Sequence, residues 1–314
     1  LRREGESVKL DAMSERTIRT YHELAGDDRS GMAIQVGEQR ERVRARLARV
    51  RHLVPVTSGK GGVGKSFVSA CLAAALRALG HATGLLDADL NGASTRRLLG
   101  IPPGRLAMTE GAVVPPVSRG GVKLMSIDLL LGDEMPIEWR EPEAESFVWR
   151  GAQERGVVRE FLADVEWGEL DFLIIDLPPG AQRLTDVMEL VDEVAGCLVV
   201  TIPSAASKSA VERAMKLALG RGAPLLGMVE NMSTYACAEC GSPGTLFVGE
   251  AGRELAAAFD IPLLATVPFD PRAASLADTG GVEALLSETV AGEALRDLAS
   301  AVADRLAPES EEAP

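Results

Sequence analysis

Ser58-Gly59-Lys60-Gly61-Gly62-Val63-Gly64-Lys65-Ser66 follows an apolar run at 53–57 and opens a helical pattern over 66–79. The order strand, glycine-rich turn, helix is the context in which Gly-x-x-x-x-Gly-Lys-[Ser/Thr] has a mechanism. Glycines let successive backbone N–H groups turn inward around phosphate oxygens, and the helix that follows adds the positive end of its dipole. Gly59, Gly61, Gly62, Val63 and Gly64 are therefore the expected phosphate cradle. Lys65 is expected to reach the β- and γ-phosphates, and the Ser66 hydroxyl to ligate Mg²⁺. The ligand this implies is ATP.

Working outward, further apolar runs lie at 82–86, 172–175, 197–201, 225–229 and 263–267, with helical patterns at 157–163, 208–219 and 253–259. Near-continuous apolar strands alternating with helices predict one α/β domain, a doubly wound, mostly parallel sheet with helices on both faces. Pro55 falls inside the first strand, where a missing donor is normally avoided, so a local irregularity is expected there. The stretches 100–121 and 132–142 are rich in Pro and Gly and read as surface excursions. The domain plan is a polar arm over 1–51, a nucleotide-binding domain over 52–306 and an acidic tail over 307–314. Within the arm, 38–51 places Val43, Leu47 and Val50 at helical spacing among arginines and glutamates. We read an amphipathic helix lying on the main domain, its charges solvating the outer face, with a basic docking arm as the other reading.

Composition bounds the function. A chain of 314 residues that is 46% hydrophobic can bury a large core. Its net charge of −13 argues against broad attraction to nucleic acid or anionic lipid, so no nucleic-acid or membrane partner is expected. No apolar run approaches the roughly 18 residues that span a bilayer, and 1–11 lacks the apolar core of a secretory signal. A cytoplasmic location is the expectation. Four cysteines are too few for a disulfide scaffold. Cys71 and Cys197 fall in helix and strand patterns and read as core, which leaves Cys237-Ala238-Glu239-Cys240 to explain.

Two acidic segments complete the expected nucleotide centre. Asp176 ends the run Phe172-Leu173-Ile174-Ile175 and precedes Leu177-Pro178-Pro179-Gly180, so it sits at the carboxyl edge of the sheet, where phosphates and Mg²⁺ bind. Asp87 and Asp89 follow another strand toward the same edge. Asp89 is assigned to orient the attacking water, and Asp87 to the Mg²⁺ shell or to hydrogen bonding in a switch segment.

Lys60, in Lys-Gly-Gly-Val-Gly-Lys-Ser, resembles the signature lysine of the MinD/ParA-like deviant Walker A ATPases, and the resemblance implies a homodimer in which it reaches the partner's ATP. Asp87-Ala-Asp-Leu-Asn-Gly-Ala-Ser94, Trp149-Arg-Gly151, Asp176-Leu-Pro-Pro-Gly180 and Val229-Glu-Asn-Met-Ser233 are similar to the Mrp/Nbp/ApbC iron–sulfur cluster carriers, a likeness that runs from about residue 52 to the last helix. It implies an ATPase with Lys60, Lys65 and Asp89 in catalysis and Asn231 reading the adenine beside a turn at Val267-Pro-Phe-Asp-Pro271. It also implies a [4Fe–4S] cluster on Cys237 and Cys240, delivered to apoprotein recipients. Two thiolates cannot fill a four-thiolate shell, whereas a two-fold dimer supplies four. A shared Zn²⁺, a redox dithiol and incidental surface thiols stay open as readings of the pair. The likeness departs at Ala181-Gln182-Arg183, where the carriers usually have Thr-Gly-Asp; losing that hydroxyl and carboxylate points to slow hydrolysis. The alternatives are a MinD/ParA-like positioning ATPase and a zinc-bridged or metal-free regulatory ATP-binding switch. Against the first, 291–314 has few basic residues, unlike a membrane-targeting helix.

Overall fold

The computed structural model describes residues 32–307 apart from 105, 110, 132–145, 238 and 241. Contacts divide the chain into two units, Leu1–Gln39 and Arg40–Pro314; of the first, only 32–39 are described, as the opening of a helix. The elements run α1 Met32–Leu47, β1 Val50–Ser58, α2 Lys65–Ala78, β2 Thr83–Asp87, α3 Thr95–Leu98, β3 Ala107–Thr109, β4 Ala112–Val114, β5 Lys123–Met125 and α4 Asp128–Leu131. They continue with α5 Ser146–Asp164, β6 Leu170–Asp176, α6 Ala181–Met188, β7 Cys197–Thr201, α7 Ala205–Gly220, β8 Leu225–Ala236 and β9 Pro243–Gly244. The last are α8 Ala251–Ala258, β10 Leu263–Phe269, α9 Pro271–Asp278, α10 Val282–Glu288 and α11 Val290–Leu306.

The strand order is β10-β8-β7-β1-β6-β2-β5, every neighbour parallel, with β9 antiparallel on the end of β8. β2 and β7 are buried at every residue, which requires cover on both faces and explains why they read as unbroken apolar runs. β1 lies between β6 and β7, so the chain leaves it at the point where the winding reverses, the place where such sheets bind ligands. Behind it, the alanine-rich α2 buries Leu72 and Leu76 completely, each contributing roughly 1.5–3 kcal/mol. Cys71 and Cys197 are buried in this core, and burial pushes both thiols above their ordinary pKa.

Several expectations need correction. Pro55 causes no irregularity: β1 pairs with β6 in unbroken register through Pro55↔Ile175. The carbonyls of Val56 and Leu53 accept from the β6 side and the β7 side respectively, so alternation turns the missing donor of Pro55 toward β7. There the ladder begins only at Val56↔Leu198. Val50 belongs to β1 and not to the helix before it. The excursion at 100–121 contains the β3–β4 hairpin, with Ala107↔Val114 at its base. The second excursion, at 132–142, and positions 308–314 of the expected tail lie outside the described residues.

α1 buries Val43 at 2% exposure and surrounds it with ion pairs to the domain, Arg42 to Asp164 at 3.2 Å, Arg44 to Asp192 at 2.6 Å, and Arg46 to Glu166. These pairs are largely exposed and screened by solvent, so the buried apolar contact outweighs any one of them. No helix among the described residues is long and apolar enough to cross a membrane.

Candidate functional site

The glycine loop leaves β1 at Ser58 and enters α2 at Lys65. Ser58 Oγ donates to the carbonyl of Lys60 at 3.0 Å, which pins the first bend. Gly64 caps α2 with φ +80°, and a Cβ there would stand 2.1 Å from Asn231 Nδ2. At Gly59 a Cβ would stand 2.3 Å from the backbone nitrogen of Val211 in α7. Conformation requires the first glycine and close approach the second. Lys60 is half-buried, and among the described residues its ammonium forms no ion pair.

Register brings the acids to this loop. Asp176 is the Cα partner of Val56 on one side and of Asp87 on the other, so both carboxylates share the carboxyl edge of the sheet with the glycine loop. Asp176 is fully buried; its Oδ1 accepts from Lys65 Nζ at 2.7 Å and from Ser69 Oγ at 2.7 Å, while Oδ2 is buried without a hydrogen-bond partner among the described residues. The sequence sends Lys65 to phosphates; in the structure it rests on Asp176, because a carboxylate without solvent needs a countercharge. Ser66 Oγ lies 3.4 Å from the same ammonium. The Ser66 hydroxyl and the spare oxygen of Asp176 form the kind of hard donor set that suits Mg²⁺.

Asp87 spends its carboxylate on the segment that follows β2. Oδ2 accepts from Thr95 Oγ1 at 2.8 Å and from the N–H groups of Ser94 and Thr95 at 3.2 Å each, and Oδ1 accepts from the N–H of Asp89 at 3.1 Å. Burial, and then the charge of Asp176, push Asp87 up to about 7. Asp89 is half-buried and also raised, chiefly by burial and against the pull of Lys65. A carboxyl whose folded pKa exceeds its unfolded value contributes stability that is complete below about pH 4 and lost as pH rises through the folded value. The urea midpoint of the nucleotide-free protein is therefore expected to fall between about pH 5 and about pH 8, measured at constant ionic strength.

β8 outruns its apolar segment and carries the other candidate residues. In it Asn231 is buried, and its Nδ2 donates to the carbonyl of Val63 at 2.9 Å. Asn231, expected to read the adenine, thus has its amide nitrogen engaged with the glycine loop. Val267 is its Cα partner on β10; the expected turn through Pro271 is the end of β10 followed by Asp270, which caps α9 by accepting from Arg272 N at 2.9 Å. Past Asn231, β8 pairs with β9 through Tyr235↔Gly244 and Ala236↔Pro243, a hairpin whose tip carries Cys237, half-buried, and Cys240, exposed. Cys237 N donates to the carbonyl of Ser242 at 3.1 Å, and Cys240 Sγ lies 3.2 Å from Ser242 Oγ. Hydrogen bonds from Ser242 hold the Cys240 thiol below its usual range. Among the described residues, no group of three or more His, Cys, Asp or Glu is placed to hold a metal ion.

The sequence reading missed Glu154. This buried acid on α5 accepts from Asn91 Nδ2 at 2.8 Å and pairs with Arg183 on α6; Arg183 and Arg155 in turn reach Asp186 at 3.5 and 3.4 Å. The segments after β2 and β6 are thereby tied together. No local pattern marks Glu154. Ser69 was findable, as a hydroxyl one helical turn after Lys65 in an otherwise apolar helix.

A backbone loop turned inward at the reversal point of a parallel sheet, with a buried lysine behind it, is built to hold the phosphates of a nucleotide, and the chain is a P-loop nucleotide-binding protein. The family described as ParA, NUBPL iron-transfer P-loop NTPase, matches residues 49–303, and the chain belongs to it. It is 38% identical to an iron-sulfur cluster carrier protein of Saccharolobus solfataricus over 76% of this chain and 78% of that one. It is 40% identical to a cytosolic Fe-S cluster assembly factor, a Nubp2 homolog of Drosophila ananassae, over 80% and 95%. Among solved structures, a nucleotide-binding protein of Archaeoglobus fulgidus in complex with ADP is 35% identical, with a TM-score of 0.66 over 78% of this chain and 92% of that one.

Proposed function

We propose that this chain is an ATP-dependent carrier or scaffold in which two copies hold a [4Fe–4S] cluster between their Cys237 and Cys240 thiolates and deliver it to apoproteins. The observation that carries the reading is the placement of the cysteines: of four in the chain, two are core, and the other two share the exposed tip of the β8–β9 hairpin. One copy offers two accessible thiolates where a cluster takes four, so a two-fold pair completes the shell. The names of the relatives favour this reading over a positioning ATPase, and the cytosolic description of the Nubp2 homolog supports a cytosolic setting.

The nucleotide would act by differential affinity. A γ-phosphate contacted by Lys65 and by the partner's Lys60 favours a closed pair, and hydrolysis removes that preference. Ser66 and Asp176 would hold Mg²⁺, which neutralises charge on the phosphates. Asp89 would orient the attacking water. With Arg183 where the carriers usually place an acid, turnover would be slow.

Anaerobic reconstitution with iron and sulfide tests the proposal. The wild type should take up about four irons per dimer with a visible chromophore. A Cys237→Ala/Cys240→Ala protein should take up none while binding nucleotide as before. A wild type without a cysteine-dependent cluster would move the assignment to a zinc-bridged or metal-free switch.

A further inference from the structure

One strand runs from the nucleotide loop to the cysteines. At Asn231, β8 donates a buried hydrogen bond to the Val63 carbonyl at 2.9 Å, and the amide fills the space that a Gly64 side chain would occupy. At the preceding residue, the buried Glu230 accepts from Gly252 N at 2.7 Å, in the first turn of α8, the helix the chain enters on leaving the cysteine hairpin. At the following residue, Met232 holds φ +54°, one of only two non-glycine residues in that region among those described. Such a conformation persists only where its surroundings impose it. Farther on, Tyr235 stacks on Phe269 of β10 with ring centroids 6.4 Å apart, and the β8–β10 register shifts between Val267 and Phe269. Cys237 comes immediately after β8 ends, about 20 Å or less from Asn231 along the chain at the usual rise of a strand.

We infer that Asn231 is a positioning residue that transmits the state of the P-loop to Cys237 and Cys240. The Val63 carbonyl belongs to the backbone that must arrange its N–H groups around phosphate. Rearranging it strains or releases the Asn231 bond, and β8 passes the change to the hairpin. The entering stem is β8 itself, the leaving stem β9 is paired to it, and the chain beyond returns to the same point through Gly252 and Glu230. Fixed at both stems, the hairpin has little freedom to absorb the displacement, so it reaches the tip. The left-handed Met232 is the joint between the part of β8 that feels the loop and the part that carries the thiol. The inference rests on the reading of Cys237 and Cys240 as the pair that holds the cargo.

The test uses the full chain, metal-free and reduced. It follows the reaction of its thiols with 5,5′-dithiobis(2-nitrobenzoate), with and without a saturating non-hydrolysable ATP analogue and Mg²⁺. Cys71 and Cys197 are buried, so the fast phase reports the hairpin, and Cys237→Ala/Cys240→Ala supplies the blank. In the wild type, nucleotide should change the fast rate by about fivefold or more, the lower end of typical site-to-site coupling. In Asn231→Ala the change should fall below about twofold, read at a nucleotide concentration that saturates this variant as a fluorescent analogue reports. Met232→Gly keeps the Asn231 donor and relaxes the joint; it should bind nucleotide normally and show a reduced response.

A wild-type rate indifferent to nucleotide overturns the inference, as does a full response in Asn231→Ala or Met232→Gly. Loss of nucleotide binding in a folded Asn231→Ala protein also overturns it, by assigning the amide to the nucleotide itself. Failure to reconstitute a cluster would remove the cargo reading without altering these rates, and unaltered rates would leave the cluster in place, so the two failures are separable.

Discussion

Lys65→Ala should destabilise the nucleotide-free protein by about 3–5 kcal/mol, the usual result of removing one partner from a buried ion pair, and weaken nucleotide binding by roughly tenfold to a hundredfold. The stability loss is the less obvious half. Lys65 and Asp176 are 6% and 0% exposed and 2.7 Å apart, so without the ammonium Asp176 keeps only the Ser69 hydroxyl, beside the buried Asp87. A carboxylate left in that position is a buried charge without a countercharge. A second substitution, Asp176→Asn, should restore most of the stability in the Lys65→Ala background and none of the binding, because it removes the unpaired charge without supplying a group for phosphate. Urea denaturation and calorimetric titration with Mg²⁺ and nucleotide measure the two effects separately. A Lys65→Ala protein as stable as the wild type would mean that the ion pair does not hold Asp176 in solution.

The same pair shows where reading a sequence stops. That Lys65 and Asp176 belong to one site was legible, since a lysine ending a glycine loop and an acid ending an apolar strand both fall on the carboxyl edge of a parallel sheet. That they touch was not, because 111 residues separate them and only the β1–β6 register brings them together. β7 occupies the same residues as its apolar run because burial on both faces leaves no polar residue to blur its ends. β8 continues through Glu230-Asn231-Met232-Ser233-Thr234-Tyr235, where polarity hides the strand and its pairing with β10 and β9 sustains it. Pro55 was misread for a related reason. A proline is excluded from a ladder only where the ladder needs its donor, and that depends on where the β7 neighbour begins.

Asn231 and Glu154 mark two further kinds of limit. For Asn231, family likeness offers a role toward the base; the fold adds a donor bond to the glycine loop, which no spacing rule encodes. For Glu154 there was no offer at all. Its partners Asn91 and Arg183 lie 63 and 29 residues away on opposite sides in the chain, and a single acid in a charged helix reads as surface. Conversely, Arg183 was read as a loss, the removal of a carboxylate, when in three dimensions it is the partner of a buried acid.

That partnership makes a sharp prediction: Arg183→Asp, which returns the residue usual in the cluster carriers, should destabilise this chain by about 2–3 kcal/mol. The figure lies below the 3–5 kcal/mol of a fully buried pair because the Arg183 side chain is 29% exposed, whereas that of Glu154 is 8% exposed. The substitution sets a carboxylate against Glu154 and against Asp186, which now share Arg183. Glu154→Gln should be mild alone, since an amide still accepts from Asn91. In that background the cost of Arg183→Asp should fall by more than about 1 kcal/mol, a coupling well above the additivity error of distant sites. Equal costs in both backgrounds would show that Arg183 acts elsewhere. Coupling of the expected size would show that Arg183 and Glu154 act as a unit: once an acid is buried between the segments after β2 and β6, the residue opposite must be a cation, whatever the family usually places there.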